Sequence, residues 1–362
     1  MGSTVDSRPS KNNSKLPSLD GARFIAALLV TAFHATFTVA KFSGEVPFAG
    51  AFRGGHAGVE YFFVLSGFII FYAHQQDFSK PGTIWLYARK RAARILPMLW
   101  LILISWSLLR HTLQGQTTNS PTSLSTLILD MFLVPHEGSL TLGVTWTLQR
   151  ELVFYVIFLV ALLNRRIGLA TLFAWQLLVL ILGATKSLNS PIEIAVFDIH
   201  NLGFGIGLLI ALFSKNIRGL DLKLFLVIGL CAFAFLMFLE FKLGGPLDPD
   251  FRPLGHRLSP VLYSTAAAFC LMGLLSIDMN GVGREYKLIS VLGGSSYVLY
   301  LVHGPVGSVV IRLTSKMHFP PNLSFLALIV MPVFVAIVLH LWIEKPILKA
   351  LRPRNISRVS LA

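Results

Sequence analysis

Arg23 and His34 fall in one apolar run, "LDGARFIAALLVTAFH". Ionisable side chains in such a run call for a reason, because lipid penalises them. Eleven residues of α-helix turn through about 1100°, which leaves both side chains within ~20° of one face and ~16 Å apart along the axis. That separation is roughly half of the ~30 Å hydrocarbon thickness of a bilayer. A guanidinium at the water boundary can hold an anion, and an imidazole at mid-depth can reach a proton or an acyl carbonyl. The structural alternatives are an arginine that snorkels to fix orientation and a histidine that packs with a satisfied hydrogen bond.

Other residues extend this chemistry. In "WLYARKRAARILP", Arg91 and Arg94 are three apart and therefore neighbours on a helix surface. Two guanidinium forks at that spacing suit a phosphate, although Arg89, Lys90, Arg91 and Arg94 could instead enforce topology and meet anionic lipid. Glu151 has Tyr155 four residues later on the same face, and could orient a histidine or an acceptor hydroxyl, or pair with Arg150. His303 follows Tyr297 and Tyr300, which suit either a sugar-binding vestibule or an aromatic belt. Ser66 and Gly67 fall near the depth of His34; a serine there usually bonds its own helix carbonyl, so a nucleophilic role carries little weight. Asp198, His200 and Asn201 cluster in "FDIHNLGFGIG", as an acceptor pocket or, slightly preferred, a polar packing network. Gly203 and Gly207 in the same stretch are spaced for close helix contact. No helical histidine pair joins an acidic set, so a metal site is not expected.

The elements that carry these residues follow from composition. Of 362 residues, 54% are hydrophobic and 13% charged, about half the charged share of a soluble domain. Ten apolar stretches predict membrane spans over 19–40, 58–74, 95–109, 144–163, 167–185, 192–213, 222–239, 258–277, 288–311 and 323–343. An eleventh, "SLSTLILDMFLVP", is short and contains Asp130, and reads as an interfacial or re-entrant helix. With ten spans and a cytoplasmic N-terminus, roughly two in three of the 31 Lys and Arg fall on the cytoplasmic side, the pattern that sets orientation. The net charge of +14 is thus accounted for by loops and helix ends, which argues against a nucleic-acid partner. Cys231 and Cys270, both inside spans, form no disulfide framework. The expected layout is an all-α integral membrane protein. A disordered cytoplasmic segment (1–15) precedes one transmembrane domain (16–345), and a basic cytoplasmic tail (346–362) follows it.

Taken together and in order, several motifs resemble the acyltransferase 3 family of integral-membrane acyltransferases. Arg23 and His34 match its Arg-x10-His signature. "GHAGVEYFFVLSGFII" is similar to its second-span motif, with Glu60 where an acidic residue is common. "RAAR" matches Arg-x-x-Arg through Arg91 and Arg94, and "WTLQRELVFY" places Glu151 on the family's glutamate. "SSYVLYLVH" resembles the segment ending in His303, and "IEKP" is similar to a Glu-x-Pro near the final span.

The resemblance implies transfer of an acyl group, commonly acetyl, from cytoplasmic acyl-coenzyme A to a hydroxyl on a carbohydrate or glycolipid acceptor. The protein would be multi-pass in the cytoplasmic membrane, in contact with its lipid, and a stand-alone version without an appended hydrolase-like domain. Acetyl-coenzyme A would be a co-substrate, with no permanently bound cofactor. Arg23, Arg91 and Arg94 would hold the donor, and His34 with Glu151 would carry the chemistry. Glu60, Ser66, Tyr155, Tyr300 and His303 would support it or meet the acceptor. Direct transfer and an acyl-imidazole relay on His34 both fit. So, from another class, does a transporter or flippase for a lipid-linked sugar or organic anion.

Overall fold

The computed structural model describes residues 16–112, 123–217, 219–245, 248, 250–281 and 286–351. The expected N-terminal tail and the last eleven residues of the expected C-terminal tail lie outside them. Among the described residues there is no strand, and ten helical segments are long and apolar enough to cross a membrane. In chain order the helices are α1 (Pro17–Ser43), α2 (Gly58–His74), α3 (Ile84–Thr112), α4 (Leu124–Met131), α5 (Thr145–Leu163), α6 (Arg165–Thr185) and α7 (Pro191–Phe197). They continue as α8 (Leu202–Leu212), α9 (Ser214–Ile217), α10 (Lys223–Leu243), α11 (Leu258–Met279), α12 (Lys287–Lys316), α13 (Pro321–Leu339) and α14 (Lys345–Leu351).

Local sequence sets the helix ends. Gly44 closes α1 in the left-handed conformation (φ 75°), returning its N–H to the Ala40 carbonyl. The Asn164 side chain caps α6 by accepting from the N–H groups of Arg166 and Ile167, and Ser190 caps α7 ahead of Pro191. α1 packs on α12, α12 on α13, α2 on α8 and α10 on α11. Of the most apolar stretch in each crossing, 72% is buried for the one ending in α2 but only 17% for α10. The former is therefore at the centre of the bundle, and the latter turns Leu230, Phe235 and Phe238 outward.

Three expectations change in detail. The basic run "WLYARKRAAR" does not precede the third span; it forms the first turns of α3 itself, so its arginines stand on a rigid helix. The sixth span is broken between α7 and α8 at Asp198–Asn201. A broken backbone needs internal partners at membrane depth, and Asn201 Nδ2 supplies them by donating to the carbonyls of Ala195 and Val196, both at 3.0 Å. The last span passes through a π-helical turn, His340–Glu344, into α14, so residues 346–351 are structured and not tail. The stretch "SLSTLILDMFLVP" forms a short helix, as expected, the eight-residue α4, which is not among the ten crossings.

We call the face at which α1 begins the near face and the other the far face. Near-face ties run from Ser18 N–H to the Asp278 carboxylate (3.1 Å) and from Arg89 Nη2 to the Leu351 carbonyl (3.2 Å). On the far side, Asp130 of α4 is fully buried; it pairs with His136 Nε2 (3.0 Å) and accepts from Thr141 N–H (2.7 Å). These contacts fold the segment ahead of α5 onto the bundle.

Two predictions follow from packing and charge. A Cβ on Gly207 would lie 1.9 Å from the Val64 carbonyl oxygen, a backbone atom that cannot give way. Gly207→Val should therefore cost about 3 kcal/mol or more, whereas Gly82→Ala, which meets open space, should leave thermal unfolding in detergent unchanged. At His136, burial resists the charge, but the Glu137 carbonyl and the Asp130 carboxylate outweigh it and hold the pKa above the ordinary value. A raised folded value means that stabilisation is complete below the unfolded pKa and is lost as pH rises through the folded one. The thermal midpoint of wild type should accordingly fall across that window, and His136→Ala should flatten the dependence.

Candidate active site

The central helices enclose a cavity of about 360 Å³. Its lining holds four cations, Arg23 from α1 and Lys90, Arg91 and Arg94 from α3. Glu151 from α5 is the carboxylate among its walls, so the site carries excess positive charge and suits an anion. The remaining wall is largely apolar, with Val59, Phe62, Leu65 and Ile69 of α2 facing Ile95 and Leu148. Helix register explains the grouping: Arg91 and Arg94, one turn apart on α3, meet Arg23, one turn beyond Asp20 on α1, which approaches to 4.0 Å.

Each α3 arginine is set by an aromatic ring. The Arg91 guanidinium lies 5.9 Å from the Tyr87 ring centre and 5.8 Å from that of Tyr155; Arg94 lies 5.5 Å from Tyr297. These are cation–π distances, and they hold the forks without consuming their N–H donors. The rings are themselves fixed: Tyr87 donates to the Tyr155 carbonyl (3.3 Å) and Tyr297 to the Ile95 carbonyl (2.8 Å).

Glu151 sits in the cavity wall, held through one oxygen. Ser66 Oγ donates to Oε1 at 3.1 Å, and the Tyr155 hydroxyl donates to the same atom in a short hydrogen bond. The expected pairing with Tyr155 is present, while the alternative partner Arg150 turns away. Arg150 instead reaches Asp198 (3.4 Å) and stacks on Trp146 at 4.3 Å. Ser66 is therefore a donor to a carboxylate from another helix and not bonded to its own helix carbonyl. Gly67 allows the close approach of the Phe204 backbone of α8.

His34 stands outside this cavity. Its ring centre is 5.1 Å from that of His303, and His303 is 5.9 Å from Tyr300, which does line the cavity. Arg23 and His34 thus both face α12, as the helical spacing requires, and Tyr300 stands between the cavity and the histidine pair. The Tyr300 hydroxyl lies 2.8 Å from Thr147 Oγ1 and donates to the Val144 carbonyl at 3.2 Å. His303 Nδ1 faces the Leu299 carbonyl at 3.3 Å. A carbonyl only accepts, so this contact places a proton on Nδ1 and leaves Nε2 without that partner.

Glu60 also lies outside the cavity. It is buried, with Oε1 3.6 Å from His200 Nε2, and His200 Nδ1 is 2.5 Å from Asp198. This makes the Asp198–His200 cluster a packing network joining α2, α5 and the α7–α8 break. A second buried pair, His56 Nε2 to Glu240 Oε2 at 2.9 Å, binds the turn before α2 to α10. Among the described residues no group of three or more His, Cys, Asp or Glu side chains converges as a metal would require.

Some members of the site carried no role in the sequence reading. Tyr87, Thr147 and Leu348 line or brace the cavity, and Glu344 bonds Arg94 at 2.6 Å. Tyr87 had a usable signal, since it precedes Arg91 by four residues, and Glu344 stood in the "IEKP" motif. Leu348 had none.

A family model described as "Acyltransferase domain" (Acyl_transf_3) matches residues 16–341. The chain is 26% identical over 313 residues to the exopolysaccharide production protein ExoZ of Rhizobium meliloti (strain 1021), covering 84% of this chain and 93% of that protein. It is also 26% identical over 375 residues to a putative peptidoglycan O-acetyltransferase, YrhL, of Bacillus subtilis (strain 168), of which it spans only 56%. A shorter stretch of 91 residues is 31% identical to the peptidoglycan O-acetyltransferase OatA of Listeria monocytogenes, covering 25% of this chain and 13% of that protein. No solved structure matches the chain. With the family model spanning nearly all of it and ten apolar helices to carry it across a bilayer, the chain belongs to the acyltransferase 3 family and is a multi-pass membrane protein.

Proposed function

We propose that the chain is an O-acyltransferase that moves an acyl group, acetyl in the simplest case, from cytoplasmic acyl-coenzyme A to a hydroxyl of a carbohydrate or glycolipid acceptor. The near face would then be cytoplasmic, and the membrane the cell's own. One observation carries the reading: a cavity with four cations around it ends one aromatic layer short of a paired imidazole. The cations suit phosphates, the apolar wall suits a slender arm, and the imidazoles suit proton transfer at its tip. The naming of two relatives as peptidoglycan O-acetyltransferases and of one as an exopolysaccharide protein supports the same class of reaction and acceptor.

The chemistry is simple to balance. His34 takes the proton of the acceptor hydroxyl as its oxygen attacks the thioester carbonyl. The carbon–sulfur bond breaks, and the leaving thiolate takes up the proton. His303, whose ring lies 5.1 Å from that of His34, steadies the ring that takes the proton. General-base assistance of this kind is worth about 10²–10⁴ in rate.

Purified protein in lipid nanodiscs, given labelled acetyl-coenzyme A and a hydroxyl-bearing surface polysaccharide, should transfer label to the acceptor. His34→Ala, confirmed as folded by its thermal midpoint, should lose roughly a hundredfold or more in turnover. Arg91→Ala should raise the acetyl-coenzyme A KM with a smaller change in kcat, because its contact is with the donor's remote end. Sugar flux into vesicles without any transfer of acetyl would overturn the reading in favour of transport.

A further inference from the structure

Arg94 is held differently from its neighbours. Its Nη1 donates to Glu344 Oε1 at 2.6 Å, and the other carboxylate oxygen, Oε2, accepts from His340 Nδ1–H, also at 2.6 Å. The Glu344 side chain is only 2% exposed, and both of its oxygens are engaged. A buried carboxylate without such partners is costly, so the two donors and the acceptor fix one another. His340 and Glu344 belong to the π-helical turn between α13 and α14. An inserted residue of this kind re-aims side chains, and such turns recur at functional sites.

Two details show that the turn is fitted to the arginine. The His340 imidazole occupies space that a side chain at position 294 would fill, since a Cβ on Gly294 would lie 2.5 Å from Nε2. On the opposite side, α14 runs along the start of α3, giving Leu348 to the cavity and its Leu351 carbonyl to Arg89. The Arg94 guanidinium makes no other hydrogen bond among the described residues, so its remaining N–H groups are available at the cavity wall.

We propose that Glu344, itself oriented by His340, is the positioning residue for Arg94, presenting that guanidinium to a phosphate of the donor. The proposal rests on the reading of the cavity as the acyl-coenzyme A site. Glu344 does not touch the donor; it presets the fork, so that binding does not have to order a flexible side chain. A merely structural role, tying α14 to α3, would affect folding and turnover without a specific effect on donor affinity.

The test is a double-mutant cycle on the full chain in nanodiscs, with acetyl-coenzyme A as the varied substrate and the thermal midpoint as the control for folding. Glu344→Gln should raise KM about tenfold, the size expected when a charged hydrogen bond is lost, and leave kcat within about twofold. Arg94→Ala should raise KM at least as much, and the double variant should be no worse than Arg94→Ala alone. Additive effects, or a fall in kcat with KM unchanged, would overturn the proposal. If Arg94→Ala raises KM and Glu344→Gln does not, only the positioning role falls. If neither changes KM, the donor reading of Arg94 falls with it. Should Glu344→Gln not fold, His340→Leu carries the same test, with an expected threefold or so rise in KM that vanishes on the Arg94→Ala background.

Discussion

Buried ionisable groups paired from one helix to another pin the bundle together. Arg94 of α3 meets Glu344 beyond α13, Arg150 of α5 meets Asp198 at the α7–α8 break, and His56 before α2 meets Glu240 of α10. In each case the partner comes from a distant part of the sequence. Association of apolar helices in lipid lacks the drive that water supplies, so polar pairs and close packing of small residues decide which faces meet. Gly67 and Gly207 contribute the second of these by bringing the α2 and α8 backbones into contact.

The same pairing shapes the cavity. Its cations are not all neutralised from within: Glu151 serves the whole lining, and Glu344 approaches Arg94 from outside it. Aromatic rings beneath Arg91 and Arg94 offset part of the cost of holding the guanidinium groups in place without using their N–H donors. An excess of oriented donors in a partly dehydrated wall is a preorganised anion site. Glu151, bonded by Ser66 and Tyr155 through one oxygen, keeps its second oxygen for this field. It stands in the same wall as the arginines, with Ser66 and Tyr155 as its partners.

How much of this was legible in the sequence depends on the distance over which each feature is determined. Ten crossings and the α1 face shared by Arg23 and His34 follow from local periodicity, and the helices reproduce both. The adjacency of Glu151 and Tyr155 is likewise an i, i+4 relation along one helix. What could not be read were the partners set by tertiary packing: Ser66 with Glu151, Arg150 with Asp198 in place of Glu151, and the histidine pair across α1 and α12. The break in the sixth span was hidden because "VFDIHNLG" keeps its apolar residues in step on both sides; only the Asp and Asn side chains that rescue the backbone mark it. The end of the last span was missed for a different reason. Lys345, Pro346 and Lys349 look like a departure from the membrane, yet they begin a helix that continues the last span and packs against α3.

The position of Tyr300 constrains any route through the molecule. It lies on α12 three residues before His303, so its ring and the imidazole share a face, and whatever reaches one from the near side must pass the other. The cavity, at about 360 Å³, is near the lower end of the ~300–1,000 Å³ usual for ligand sites. In the proposed reading it takes the arm of the donor, while the nucleotide end stays among the cations. The thioester then arrives at the Tyr300 layer, where a hydroxyl bonded to Thr147 and Val144 rotates to open the way towards His303 and His34. Both partners of that hydroxyl are at the far-face start of α5, the helix that also carries Glu151. Filling of the cavity and opening of the layer are thereby referred to one element. A rigid α5, stepping between Glu151 and Thr147 in a single helical turn, is a physical means for the donor's arrival to be felt at the histidines.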